Sequence, residues 1–365
     1  MKKVLTLVSF FAFLAIQFAC SNGSDSPDPV VDPPVVTDDF IRAADISFLP
    51  EIESAGTVLY NNGKAEEMLT TLKNAGCNTI RIRLWKNPAN GHSGLTEVKA
   101  LAARVKQAGL KVWLTVHYSD TWADPGNQTT PEEWKNLSFA DLKTAVATYT
   151  STIITEINPD IIQIGNEINS GLLWPQGHLI NQEAQCIALL STASATIRSK
   201  APKTKIMIHY AGVNASDTDW FFTKVKTVDY DYIGLSYYPV WHGKDLTVVK
   251  NTIDALGSKF SKKVVIAETA YPFTLGYNDW TNNIVGLDSQ LVSGYPATPE
   301  GQKSYMLAIK ELVKTSKSGI GFAYWGGEWI SFKGKEAKNG STFENQAFYD
   351  FDNKALPVLK AFNLN

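Results

Sequence analysis

Two glutamates stand at the ends of short apolar runs. In Asp160-Ile-Ile-Gln-Ile-Gly-Asn-Glu-Ile-Asn169, β-branched residues build a buried strand that breaks at Gly165 and delivers Asn166 and Glu167 to its tip. In Lys263-Val-Val-Ile-Ala-Glu-Thr-Ala-Tyr-Pro272, a second apolar strand ends in Glu268. A carboxylate at such a tip has no packing role. Burying it unpaired would cost several kcal/mol or raise its pKa. A raised pKa is what a general acid needs near neutral pH. Two such carboxyls facing one cleft are the pair that cleaves a glycosidic bond.

The elements that must hold these tips recur through the chain. From Phe40 onward, apolar strands alternate with amphipathic helical stretches. The expected strands are Ala43–Phe48, Thr79–Trp85, Lys111–Tyr118, Asp160–Glu167, Lys205–Tyr210, Tyr232–Tyr238, Lys263–Glu268 and Ile320–Trp325. The expected helices are Ala65–Ala75, Glu97–Ala108, Leu142–Glu156, Gln182–Lys200, Val248–Phe260 and Thr298–Thr315, with apolar residues at three- and four-residue spacing. Eight strand-plus-helix units over about 300 residues predict an α/β fold, a single (β/α)8 TIM barrel. A doubly wound open sheet is disfavoured, because no Gly-rich phosphate fingerprint follows the first strand.

Parity within strands agrees with closure. Ile80, Ile82 and Leu84 face outer helices, leaving Thr79, Arg81, Arg83 and Trp85 inward. Val112, Leu114 and Val116 face out, leaving Trp113, Thr115 and His117 inward. In the last strand, Gly321, Ala323 and Trp325 face in. Barrel enzymes build their sites at the C-terminal tips of such strands.

A formal net charge of −2 with no basic run gives no reason to expect nucleic acid or an anionic membrane as a partner. Among three Cys, Cys77 and Cys186 lie in helical stretches and are expected to be buried thiols rather than a disulfide, metal or redox pair. Met1-Lys-Lys3 followed by Val4–Ala19 reads as an export signal over residues 1–19. The run is shorter than the ~20 residues a membrane span needs. Phe18-Ala19-Cys20 resembles the end of a bacterial lipobox, whose Cys becomes a lipidated N-terminus. Residues 20–39 are rich in Pro, Asp and Ser and form an extended tether. The catalytic domain is then 40–365.

The resemblance to a known family rests on many ordered blocks. They are Ala44-Asp45-Ile46-Ser47, Arg81-Ile-Arg83-Leu-Trp85, His117-Tyr-Ser-Asp120-Thr-Trp122-Ala-Asp124-Pro125-Gly126-Asn-Gln128, Gln163-Ile-Gly-Asn-Glu167-Ile-Asn-Ser-Gly171-Leu-Leu-Trp174-Pro175, Asp231-Tyr-Ile-Gly-Leu-Ser-Tyr237-Tyr238, Glu268-Thr-Ala-Tyr271-Pro272 and Gly326-Gly-Glu-Trp329. Together they resemble glycoside hydrolase family 53, the endo-β-1,4-galactanases, within the clan of retaining (β/α)8 glycosidases. The resemblance implies hydrolysis of β-1,4-galactan in type I arabinogalactan by double displacement. Glu167 would be the proton donor and base and Glu268 the nucleophile, with carboxyls about 5–5.5 Å apart.

On the same resemblance, Asn166 would bond the 2-hydroxyl of the sugar at the cut and Tyr238 (or Tyr237) would touch Glu268; parity with Gly234 and Ser236 favours Tyr238 as the inward one. Arg83 would hold Glu268 ionised, with Arg81 lying deeper; a structural ion pair is the alternative for either Arg. Asp45 belongs to the substrate-binding set. His117 and His209, at strand ends, are expected to contact sugar or carboxylate. With His178 and His242 they make no spaced zinc motif. Trp85, Trp122, Trp174, Trp325 and Trp329 are the expected sugar platforms, Trp325 flooring the cleaved sugar and Trp174 and Trp122 serving outer subsites. Trp113, Trp134, Trp220 and Trp280 are expected to pack.

Some bacterial relatives of that family bind calcium near the segment corresponding to Tyr271–Pro299. Here Asn278, Asp279, Asn282, Asn283 and Asp288 form no spaced ligand series and read as solvated turns, so no cofactor is expected, with calcium the open alternative that the spacing does not support. A monomer is expected, touching a membrane only through its N-terminal lipid. Rival readings keep the same machinery for mannan or xylan, or make the chain a glycan-binding surface lipoprotein on a dead barrel. Retention of both Glu167 and Glu268 disfavours the last.

Overall fold

Alternating inward and outward side chains close eight parallel strands into a barrel. The computed structural model describes residues 39–364. The expected export signal, Cys20 and nearly all of the tether lie outside the described residues. The strands are β1 (Ile41–Asp45), β2 (Thr79–Leu84), β3 (Lys111–Val116), β4 (Ile161–Ile164), β5 (Lys205–Ala211), β6 (Tyr232–Ser236), β7 (Lys263–Thr269) and β8 (Gly319–Tyr324). Each pairs with its sequence neighbours, and β8 pairs in parallel with β1. Several strands stop short of their expected ends. Asn166, Glu167, Tyr238 and Trp325 stand in the turns just beyond, as a site built from strand tips requires.

The connecting helices are α1 (Leu49–Ser54), α2 (Met68–Asn74), α3 (Leu95–Gln107), α4 (Phe139–Ile157), α5 (Glu183–Lys200), α6 (Ala215–Val225), α7 (Pro239–His242), α8 (Leu246–Phe260) and α9 (Pro299–Thr315). Sequence periodicity missed α6. Its signals were an Asn214 cap, which accepts from the backbone N–H of Ser216 and Asp217, and buried residues at 218, 221, 222 and 225. After β8 the chain ends in a 3-10 stretch, Pro357–Phe362, whose Phe362 ring stacks on Phe322 at 5.8 Å.

Two apolar layers result. Ile80, Ile82, Leu84, Val112, Leu114, Val116, Phe322 and Tyr324 join the layer between strands and helices, as parity predicts. Ile41, Ala43, Trp113, Ile161, Met207, Val265, Ala267 and Ala323 fill the barrel axis. Above that plug, inward residues turn polar: Arg81, Thr115, Gln163, His209 and Ser236 are all buried. Fully burying one large aliphatic side chain contributes about 1.5–3 kcal/mol. The outer layer therefore supplies the stability against which a polar axis can be tolerated.

The alternation breaks at the tip of β7. Val265 and Ala267 face the axis, so simple parity would turn Glu268 toward the helices. A register shift there sets Ile266 opposite Leu235 but Glu268 opposite Ser236, and Thr269 opposite Tyr324. The extra residue is a β-bulge, which re-aims the side chain. Glu268 consequently faces the axis directly above Ala267.

Cys77 and Cys186 are buried free thiols. Trp113 and Trp134 are packed as expected, but Trp220 and Trp280 are 41% and 60% exposed. Trp220 stands between the buried positions of α6 and faces outward, while the Trp280 ring lies under the Lys338 ammonium at 5.7 Å. Asp279 is also buried rather than solvated. It accepts from the Thr281 backbone N–H and the Ser331 hydroxyl, which ties its loop down. Among the described residues, no helix is long and apolar enough to cross a membrane.

The β1–β8 seam allows no side chain at Gly321. A Cβ there would lie 2.3 Å from the Ile41 carbonyl oxygen. Gly321→Ala is expected to destabilise the fold by about 1–3 kcal/mol through overpacking, seen as a lower thermal midpoint. An unchanged midpoint would contradict so close a seam.

Candidate active site

The tip of β4 is bent by Gly165. Its φ is +78°, and a Cβ would sit 2.4 Å from Ile168 Cγ2, so only glycine fits. Glu167 follows with φ +47°, a left-handed conformation uncommon for a residue with a side chain. Gln163 locks the turn by donating through Nε2 to the Gly165 carbonyl and to Asn166 Oδ1. Gln128 donates to the Asn166 carbonyl from the loop after β3.

Glu268 reaches the same space from β7. A carboxylate oxygen of Glu167, one of Glu268 and a ring nitrogen of His209 all lie within 4.8 Å of one another. The two carboxyls have opposite surroundings. Glu268 Oε1 accepts from Arg81 Nη2 at 2.6 Å and Oε2 from the Tyr238 hydroxyl at 3.0 Å. Among the described residues, Glu167 Oε1 accepts only from the Ser236 hydroxyl, at 2.6 Å. Burial, and then the Glu268 charge, push the Glu167 carboxyl up to about 8. Burial pushes Glu268 up too, but Arg81 and Tyr238 oppose it. A shared proton therefore rests on Glu167, because only Glu268 touches a cation.

Arg81, not Arg83, is that cation, which corrects the sequence expectation. Arg81 Nη1 also bonds Asp45 Oδ2 at 2.6 Å, and Nη2 donates to Asn166 Oδ1 at 2.9 Å. Arg83 lies one inward position nearer the rim. Its guanidinium centre stands 4.5, 4.5 and 4.2 Å from the Phe48, Trp85 and Trp122 rings, and its Nε donates to Ser93. Burial lowers its pKa to about 10, which leaves it charged at neutral pH. The deeper arginine makes the contact because it rises along the axis from above Trp113, 5.6 Å from that ring, to where the bulge has turned Glu268.

Asp45 is committed to the framework. It takes Arg81 on Oδ2 and the Ser47 N–H and hydroxyl on Oδ1, and it does not line the cleft. His117 Nδ1 accepts from the Ala123 N–H and from the Trp85 indole, which leaves its proton on Nε2. Burial and the two arginines hold it well below its ordinary pKa, so it is a neutral donor. Asn166 uses one amide hydrogen on the Ala123 carbonyl, so its second remains for a ligand.

The cleft above these groups has a volume of about 160 Å³. Trp122, Trp325, Tyr238, Trp241 and Phe343 wall it, and Arg83, His117, Ala123 and Asp124 complete its lining with Arg81, Asn166 and the glutamates. Trp122 and Trp325 stand where the sequence placed aromatic platforms. Trp85 and Trp329 lie behind the wall: Trp85 meets Trp122 edge-on at 5.2 Å, and Trp329 stacks on Phe48 at 4.3 Å. Trp174 is half-buried outside this lining, bonded to the Ser170 carbonyl and packed on His178.

Sequence reasoning missed Trp241, Phe343 and Asp124 as lining residues. Trp241 could have been found, since it follows the tip of β6 by one turn from Tyr238. Phe343 could not, because its loop follows β8 with no periodic signal. Glu328 also escaped notice. It is fully buried, accepts from the Phe48 N–H through Oε1, and is pushed up to about 8 by burial and by Asp45.

A carboxyl protonated at neutral pH thus faces an ionised one across a space lined by aromatic faces and neutral donors. That arrangement protonates a leaving oxygen on one side of a sugar carbon while a nucleophile attacks from the other. Comparison with known proteins agrees. Glycosyl hydrolase family 53 matches residues 41–362. The chain is 33% identical over 343 residues to an arabinogalactan endo-beta-1,4-galactanase of Cellvibrio japonicus, covering 88% of this chain and 90% of that one. Among solved structures, a family 53 catalytic domain from Ignisphaera aggregans superposes with TM-score 0.85 at 37% identity, covering 91% and 97% of the two chains. One of two fungal beta-1,4-galactanases superposes with TM-score 0.78 at 32% identity, covering 89% and 99%. The chain is therefore a glycoside hydrolase and belongs to glycosyl hydrolase family 53.

Proposed function

We propose that the protein is an endo-β-1,4-galactanase that cleaves the galactan of type I arabinogalactan with retention of anomeric configuration. The observation that carries this is the carboxyl pair, no more than 4.8 Å apart at its nearest oxygens, with Arg81 and Tyr238 on one member alone. So small a gap leaves no room for the water that an inverting enzyme places between its carboxyls. The relatives named as galactanases support galactan over mannan or xylan.

In the first step, Glu268 attacks the anomeric carbon and the bond to the leaving oxygen breaks. Glu167 gives that oxygen its proton. In the second, the now ionised Glu167 takes a proton from water, whose oxygen attacks the same carbon and releases Glu268. Asn166 and the Nε2 hydrogen of His117 present donors to the sugar hydroxyls. Trp325 and Trp122 offer indole faces to its apolar C–H side. Export and attachment through a lipid on Cys20 would set this activity at the cell surface or in the periplasm.

Glu167→Gln and Glu268→Gln should each abolish galactan hydrolysis while leaving galactan binding measurable by calorimetry. Substantial turnover by either variant, or wild-type activity confined to mannan or xylan, would overturn the assignment. Glu167 must be protonated to act, so kcat/KM should fall as pH rises through about 8. Glu268 must be ionised, so activity should also fall on the acid side. Tyr238→Phe removes a donor from ionised Glu268 and raises its pKa. The acid limb of the profile should then move to higher pH, with the alkaline limb in place. Cys20→Ser should move the protein from the membrane fraction to the soluble fraction; an unchanged distribution would count against the lipid anchor.

A further inference from the structure

We infer that Ser236, held by His209, is a positioning residue that confines the proton of Glu167 to its cleft-facing oxygen. The inference rests on the proposed role of Glu167 as acid and base. Hydrogen-bond directions along the chain are fixed by its far end. The Glu167 backbone N–H points to His209 Nδ1 at 3.3 Å; Asn166 Oδ1 lies 3.2 Å from the same nitrogen, but that oxygen already accepts from Arg81 Nη2 and Gln163 Nε2. A backbone N–H can only donate, so Nδ1 is an acceptor. Burial, then the charge of Arg81, hold His209 well below its ordinary pKa, so the ring is neutral and its one hydrogen is on Nε2. That hydrogen goes to Ser236 Oγ at 2.9 Å.

Having accepted from His209, the Ser236 hydroxyl donates its own hydrogen to Glu167 Oε1 at 2.6 Å. Oε1 is therefore an acceptor in both protonation states. The acidic proton is left on Oε2, where it can meet the leaving oxygen. Without the hydroxyl, the proton could sit on either oxygen. The serine is fully buried and inward on β6, two residues before Tyr238, so one strand tip serves both carboxyls.

The hydroxyl also stabilises ionised Glu167, so its loss has a signed consequence. Ser236→Ala should raise the Glu167 pKa and move the alkaline limb of kcat/KM up by about half to one pH unit. Glu268, Arg81 and Asp124 face Glu167 as charges, and Tyr238 and His209 face it as neutral groups. All five stay in the variant, so the shift reports the hydroxyl. On galactan, kcat/KM should fall about 10–100-fold. On an aryl β-galactobioside whose leaving group needs no protonation, it should fall far less. Ser236→Cys, with a weak donor of similar size, should lie between.

Equal losses on both substrates with an unmoved alkaline limb would overturn the inference. So would a cysteine variant that matches alanine in both readouts. Wild-type protein inactive on galactan would instead overturn the proposed function, so the two failures are distinct. Thermal midpoints of both variants separate unfolding from chemistry.

Discussion

A single guanidinium on the barrel axis holds the site together. Arg81 is fully buried and spans Asp45 on β1, Asn166 beyond β4 and Glu268 on β7. Taking a cation out of water carries a penalty of several kcal/mol, which its partners must offset. Removing either Arg81 or an anion would strand a buried charge, a loss of about 3–5 kcal/mol. Three strand tips distant in sequence therefore have to meet at one point. The same contact that satisfies the arginine keeps Glu268 ionised.

Glu167 gains its properties from lacking such a partner. It shares the cleft with Glu268, is less deeply buried, and among the described residues has only a neutral hydroxyl on one oxygen. Two residues of one type thus hold different protonation states at one pH, set by who stands beside each. The backbone contributes as well. The left-handed turn at Gly165 and Glu167 and the bulge ahead of Glu268 each depart from regular geometry. Such departures persist where surrounding bonds over-determine them, as Gln163 and Gln128 do at the Gly165 turn.

Aromatic rings do two jobs around this pair. Trp122, Trp325 and Phe343 present faces to the cleft, while Phe48, Trp85 and Trp329 brace them from behind. Arg83 is inserted among Phe48, Trp85 and Trp122, where cation–π attraction offsets part of the cost of burying a guanidinium. It lines the cleft without touching either glutamate. Sequence parity placed both arginines correctly inside the barrel but could not order their reach.

From sequence alone, the β-branched runs, the helical spacing and the count of units determined a closed (β/α)8 barrel. Strand-tip positions made Glu167 and Glu268 candidates, because a carboxylate buried there needs a partner or a raised pKa, and the family resemblance gave each its role. Alternation along β6 marked Tyr238 over Tyr237. Only the tertiary structure decided which arginine meets the nucleophile, that Asp45 serves the framework, and that Trp241 and Phe343 belong to the cleft. It also decided that Glu268 faces inward at all, since strict alternation along β7 points it the other way. The reason is physical: periodicity is a property of neighbours in the chain, whereas a bulge register, a side chain's reach and a carboxyl's proton depend on groups brought close only when the barrel shuts.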